Sequence, residues 1–191
     1  MTNSNTTMNK SQRINTRDLV ITGMFTAILC VLAQISIPVQ PVPFTLSLFA
    51  LFLIGALLSP RHAFLAALVY LLLGAFGVPV FVGLKGGLPH LTGMTGGYLM
   101  AYPLMTLITS LSYQLSKTHK LLALGCGMII SLVLCYFIGT LWFTFVSGKT
   151  FFVALTLCVF PFVLFDIVKI VLAVSVSALI RKAIGTQSAN K

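Results

Sequence analysis

The chain has 191 residues, of which 58% are hydrophobic and 7% charged, and its formal net charge is +10. A water-soluble domain carries about a quarter charged residues. A chain this apolar cannot cover its surface with polar groups, so the bilayer must be its solvent and an ordinary soluble domain is excluded.

Residues 1–18 are polar and rich in Asn and Thr. Lys10, Arg13 and Arg17 lead into an apolar run too long for a signal-peptide core, and no small-residue cleavage site follows. The segment is expected to be a cytoplasmic, partly disordered tail. Asp18 is expected to cap the first helix.

Apolar runs bounded by polar breaks predict membrane spans at 19–37, 44–58, 62–77, 97–115, 121–146 and 151–180. About six spans of roughly 20 residues nearly exhaust the length, so one domain is expected over 19–182. Residues 183–191 form a short cytoplasmic tail. The second and third spans are short for a full crossing. Within the last run, Pro161 is expected to separate a loop or entry turn from the helix proper. The fold class is therefore an all-α integral membrane protein, a compact bundle of about six helices.

Six spans put both termini on one side. That side holds Lys10, Arg13, Arg17, Arg61, Lys117, Lys120, Arg181, Lys182 and Lys191, against Lys85 and Lys149 on the other. The cation bias makes the termini cytoplasmic in a multi-pass cell-membrane protein. It also accounts for the net charge: no basic patch is interleaved with aromatics, so no nucleic acid partner is implied. Anionic membrane lipids are expected to be attracted to the cytoplasmic side. The four cysteines, Cys30, Cys126, Cys135 and Cys158, show no metal spacing and read as small buried hydrophobes.

Two outer segments break the apolar pattern. In Ile37-Pro38-Val39-Gln40-Pro41-Val42-Pro43-Phe44-Thr45 the prolines deny a helix and favour an extended path. Residues 78–95 are Gly-rich, with Gly83, Gly86, Gly87 and Gly93. Glycines there permit close approach of a ligand to the backbone, although a flexible connector explains them too.

The protein has two acidic residues, Asp18 and Asp166. Asp166 lies inside the last apolar run, and Lys169 follows three positions later on the same helical face. Charges in hydrocarbon are costly unless they face a partner or a wet cavity, which makes the pair a candidate site. A structural ion pair closed on itself is the alternative. Gly148-Lys149-Thr150 only imitates the end of a phosphate-binding loop, since Phe143 stands where its first glycine would be. His62 and His119 fall in inner-surface loops. His90 lies in the outer Gly-rich loop, where it reads as a solvated loop histidine or as one that touches a ligand. No metal-binding helix or nucleophile elbow is present.

Pro41-Val42-Pro43-Phe44-Thr45-Leu46, the run from Gly74 through Phe81, Thr95-Gly96-Gly97-Tyr98-Leu99, and Asp166-x-x-Lys169 together resemble the BioY family, in order and spacing. These are biotin-specific, substrate-binding S components of energy-coupling-factor (ECF) vitamin transporters. The resemblance runs from about Leu19 to Arg181. It departs at Ser47, where glutamine is usual, at Met94, where proline is common, at Leu164-Phe165, which replaces Pro-Gly, and at Pro89-His90.

What the resemblance implies is a biotin-binding subunit for vitamin uptake, not an enzyme, with no cofactor. Phe44, Phe81 and Tyr98 would wall an outward-facing pocket, with Thr45 beside them. Asp166 would accept a ureido N–H. Lys169 would donate to the ureido carbonyl or to the carboxylate, and the backbone around Gly86 and Gly87 to whichever end is left. It implies further partners, a transmembrane coupling subunit and two ATPase subunits, because this chain has no nucleotide-binding motif. The small-residue pairs Gly23 with Ala27 and Ala63 with Ala67 allow close helix approach, either to such a partner or within the bundle. A self-sufficient carrier of biotin or a related vitamin, needing no ATPase, is the rival reading. An intramembrane enzyme using Asp166 and Lys169 is the weakest.

Overall fold

The computed structural model describes residues 16–39, 42–116 and 118–189, with side chains through 183. The polar tail up to residue 15 lies outside the described residues.

Helix α1 spans Thr16–Gln34. It starts earlier than expected, so Asp18 sits in its first turn rather than at the cap, where a carboxylate still complements the helix dipole. It also ends earlier, because Ser36 and Ile37 leave the helix as β1 and pair antiparallel with β2, Phe44–Thr45. Pro38 enforces the change by disfavouring helical geometry at Ile37. The Pro-rich segment is thus extended at both described ends, and this two-residue pair is the one sheet among the described residues.

Helices α2 (Ser47–Leu57) and α3 (Pro60–Ala75) are joined by Leu58 and Ser59, with Pro60 at the first turn of α3, where its missing N–H costs nothing. The Gly-rich segment holds a narrow hairpin, in which Phe81 and Lys85 exchange backbone hydrogen bonds, and a short helix α4, Leu88–Thr92. Helix α5 (Gly96–Leu115) is the centre of the bundle, packed against α2, α3, α4 and most extensively α6 (Lys120–Ser147). Gly148, at φ +69°, closes α6 in the left-handed conformation that ends many helices.

The last apolar run divides into α7 (Phe151–Cys158) and α8 (Phe160–Ala189). Pro161 marks the break, but what precedes it is a helix, not a loop, and α8 runs on from the expected end at 180 to Ala189.

Among the described residues three helices, Thr16–Gln34, Lys120–Ser147 and the stretch Phe160–Ala183 of α8, are long and apolar enough to cross a bilayer. The outer face of α6 exposes Ile129, Ile130, Val133, Phe137 and Phe145, a surface suited to lipid. The core lies between α2, α3, α5 and α6, where Phe52, Ile54, Tyr70, Met105 and Met128 are fully buried. Two of the buried hydroxyls there find these partners: Thr109 with Ser131 at 3.1 Å, and Ser110 with the Leu58 carbonyl at 2.7 Å, whereas Ser47 Oγ has none among the described residues. Of the cysteines, Cys135 and Cys158 are buried as expected. Cys30 is half-buried and Cys126 is exposed on α6, where a small apolar side chain meets lipid as readily as core.

Candidate ligand-binding site

Asp166 and Lys169 lie one turn apart near the start of α8, almost wholly buried, at 1% and 4% exposure. Lys169 Nζ donates to Asp166 Oδ1 at 2.7 Å and to the Thr45 carbonyl of β2 at 2.7 Å. It also sits 3.8 Å from the Phe44 ring centroid, over the ring face. The Tyr136 hydroxyl on α6 donates to the other Asp166 oxygen. Three elements of the fold, β2, α6 and α8, thereby meet at one charge pair, and each charge has more than one partner. Such multiplicity is what lets charges persist away from water.

Around the pair is a small cavity of about 60 Å³, whose walls include Phe44, Thr45, Tyr98, Tyr102, Tyr136, Cys158 and Phe162. Phe44 stacks on Phe162 with centroids 6.3 Å apart and meets Phe165 edge-on at 5.4 Å. Tyr98 lies flat against α6 because Gly139 leaves room: a Cβ there would run into the ring. Its hydroxyl reaches Thr140 at 3.4 Å. Val42, Pro43, Thr45, Tyr98 and Tyr102 also line a wider vestibule, together with Phe81, Lys85 and His90, so the cavity continues outward between the Pro-rich segment and the hairpin.

The candidate residues therefore divide. Phe44, Thr45, Tyr98, Asp166 and Lys169 gather at the deep cavity. Phe81 lines the vestibule instead; its ring fills the notch left by Gly74 and meets Tyr70 edge-on at 5.6 Å. His90 is half-buried, its ring edge-on to Phe81 with centroids 6.4 Å apart.

Gly86 and Gly87 line neither space. A Cβ on Gly86 would meet the Val78 carbonyl, and the Gly87 N–H is already taken by the Gly74 carbonyl at 2.6 Å. With φ at +97°, Gly87 serves the turn into α4. The close approach these glycines allow here is of backbone to backbone.

The two small-residue pairs also differ. Gly23 and Ala27 are exposed, and a side chain on Gly23 would meet nothing within 4 Å. Ala63 and Ala67 are fully buried, so that pair packs within the bundle and offers no partner surface.

Sequence reasoning missed Tyr136, Tyr102, Phe162 and Gln34. Tyr136 had a usable signal: a hydroxyl in the middle of an apolar span must find a partner. The others had none, since an aromatic or amide in a helix does not reveal which way it faces.

A family model described as the BioY family matches residues 5–186. The chain belongs to the BioY family. Among curated relatives of this family member, a probable biotin transporter BioY from Pyrococcus horikoshii is 39% identical over 161 residues, covering 84% of this chain and 94% of the relative. The biotin transporter BioY of Thermotoga maritima is 37% identical over 172 residues, covering 87% and 96%. The fold matches a crystal structure of the S component for biotin from an ECF-type ABC transporter, with a TM-score of 0.75 at 24% identity, covering 87% of this chain and 92% of that one. Membership and the three apolar helices make this BioY chain a multi-pass membrane protein.

Proposed function

We propose that this chain binds biotin from outside the cell and acts in its uptake as the S component of an energy-coupling-factor transporter, a binding and transport subunit and not an enzyme. The observation that carries the reading is the buried Asp166–Lys169 pair facing an aromatic cavity, in a member of a family whose relatives are named as biotin transporters. Biotin joins an apolar bicycle and aliphatic chain to a ureido group and a carboxylate. Phe44, Tyr98 and Phe162 suit the apolar parts. Asp166 accepts a ureido N–H as a charge-assisted bond, and Lys169 donates to the ureido carbonyl or, with the ligand reversed, to the carboxylate. Thr45 and Tyr136 hold the pair in register.

The bundle reads as six membrane segments: α1, α2, α3, α5, α6 and the α7–α8 pair, forming one unit over 19–182, with both chain ends, 1–18 and 183–191, on the cytoplasmic side. What supports cytoplasmic termini is the concentration of cations at that end, with Lys85 and Lys149 alone at the other. At about 1.5 Å per residue, α2 and α3 are shorter than a roughly 30 Å hydrocarbon core. Without a nucleotide-binding motif the chain depends on a coupling subunit and two ATPase subunits, and exposed Gly23 and Ala27 on α1 offer such a partner close helix approach.

Mass spectrometry of the purified protein, followed by titration with biotin and competing vitamins, tests the binding reading; preference for another vitamin over biotin would overturn it. Uptake of labelled biotin by cells with and without the ATPase subunits separates the coupled transporter from a self-sufficient carrier.

A further inference from the structure

Gln34 is the last residue of α1, and its side-chain amide makes three hydrogen bonds. Nε2 donates to the Val80 carbonyl at 2.9 Å and to the Cys30 carbonyl at 3.3 Å, and Oε1 accepts the Leu84 N–H at 2.9 Å. Val80 and Leu84 flank and form the narrow hairpin in which Phe81 and Lys85 pair. One amide thus bridges the base and the tip of a turn about fifty positions away in sequence.

The base has other support. The Tyr70 hydroxyl donates to the same Val80 carbonyl at 3.3 Å, and the Phe81 ring is buried over Gly74. The tip does not share it. Gly83 and Leu84 both take positive φ, +74° and +55°, a costly choice for leucine, and the Leu84 side chain is 69% exposed, so its packing holds little. The tip's N–H is aimed at Gln34 instead. Phe81, Val82, Gly83 and Lys85 of this hairpin form one wall of the vestibule leading to the charge pair.

We infer that Gln34 is a positioning residue that clamps the hairpin to the end of α1 and so sets how long a ligand stays in the site below. The inference rests on the biotin reading for its binding arm alone. Removing the amide leaves the cavity walls chemically intact but frees the vestibule wall, so ligand escape accelerates more than capture. Loss of two neutral hydrogen bonds corresponds to dissociation on the order of ten times faster.

The test compares the full-length protein with Gln34→Ala, Gln34→Met and Gln34→Glu in detergent or nanodiscs. Hydrogen exchange is read on the ligand-free protein, and dissociation of labelled biotin is read by chase. Expected are faster exchange confined to the hairpin peptide in Gln34→Ala and Gln34→Met, with the α5 and α6 peptides unchanged, and a matching rise in biotin dissociation rate. Gln34→Glu keeps the acceptor for Leu84 but loses the donor to Val80, and falls between. Unchanged hairpin exchange in Gln34→Ala overturns the clamp whether or not biotin binds. A loosened hairpin with an unaltered biotin dissociation rate overturns its role in residence time. Failure of the wild-type protein to bind biotin instead sinks the ligand assignment and leaves the exchange comparison decisive for the clamp.

Discussion

The Lys169 ammonium, 2.7 Å from Asp166 Oδ1, is also held at 2.7 Å by the carbonyl of Thr45, more than a hundred residues earlier in the chain. The pair is therefore both an ion pair and the joint between α8 and the Pro-rich segment. Asp166→Asn should weaken biotin binding by about 2–5 kcal/mol, the range for truncating one partner of a desolvated pair. Lys169→Met strands a carboxylate and should destabilise the fold by a similar amount. The double variant should recover thermal stability without recovering affinity. Titration of all four proteins, each checked for monodispersity, decides this; a double variant with wild-type affinity would refute the site.

Ligand orientation is read from the same positions. If Lys169 serves the carboxylate, an amide-conjugated biotin should bind Lys169→Met and the wild type nearly alike, while Asp166→Asn weakens both ligands. If Lys169 serves the ureido carbonyl, both variants should weaken both ligands. Competition titrations with the two ligands distinguish the cases.

Tyr136→Phe removes the hydroxyl that donates to Asp166 and leaves the ring in place. A hydrogen bond to a charged group contributes about 1.5–3 kcal/mol to stability, so the melting temperature should fall, and affinity with it as Asp166 loses the partner that orients it. An unaltered affinity would mean the Tyr136 bond is incidental to binding.

Packing and partner surfaces respond to different substitutions. Gly139→Ala drives a methyl into the Tyr98 ring and should cost about 1–3 kcal/mol, with weaker binding as Tyr98 shifts. Ala63→Leu overfills a buried position and should lower stability similarly. A Cβ added at the exposed Gly23 meets nothing within 4 Å, so in Gly23→Leu folding and biotin affinity should persist while ATPase-dependent uptake falls. Melting curves, titrations and uptake measured side by side test all three; normal uptake by Gly23→Leu would remove Gly23 from the partner surface.

Lys85→Cys in a background without Cys30, Cys126, Cys135 and Cys158 should react with an impermeant maleimide on intact cells. Arg61→Cys should react only after permeabilisation. The reverse pattern would invert the topology.

The membrane class, the start of α5, the extent of α6 and the candidacy of Asp166 and Lys169 were legible from the chain alone. Each depends on local physics: hydrocarbon tolerates few charges, glycine and proline punctuate helices, and a lone carboxylate in an apolar run has few places to go. What the residues around the pair do was decided by folding. Tyr136, Phe162 and Gln34 acquire their roles from helix rotation and long-range approach, which no spacing in the sequence encodes. Gly86 and Gly87 look like ligand-facing glycines in the sequence, and in the fold the Val78 and Gly74 carbonyls lie against them. Ala63 and Gly23 share a small-residue pattern, yet one is sealed in the bundle and the other open. Periodicity says which residues share a face of a helix; only the packing of the other helices says which faces are covered.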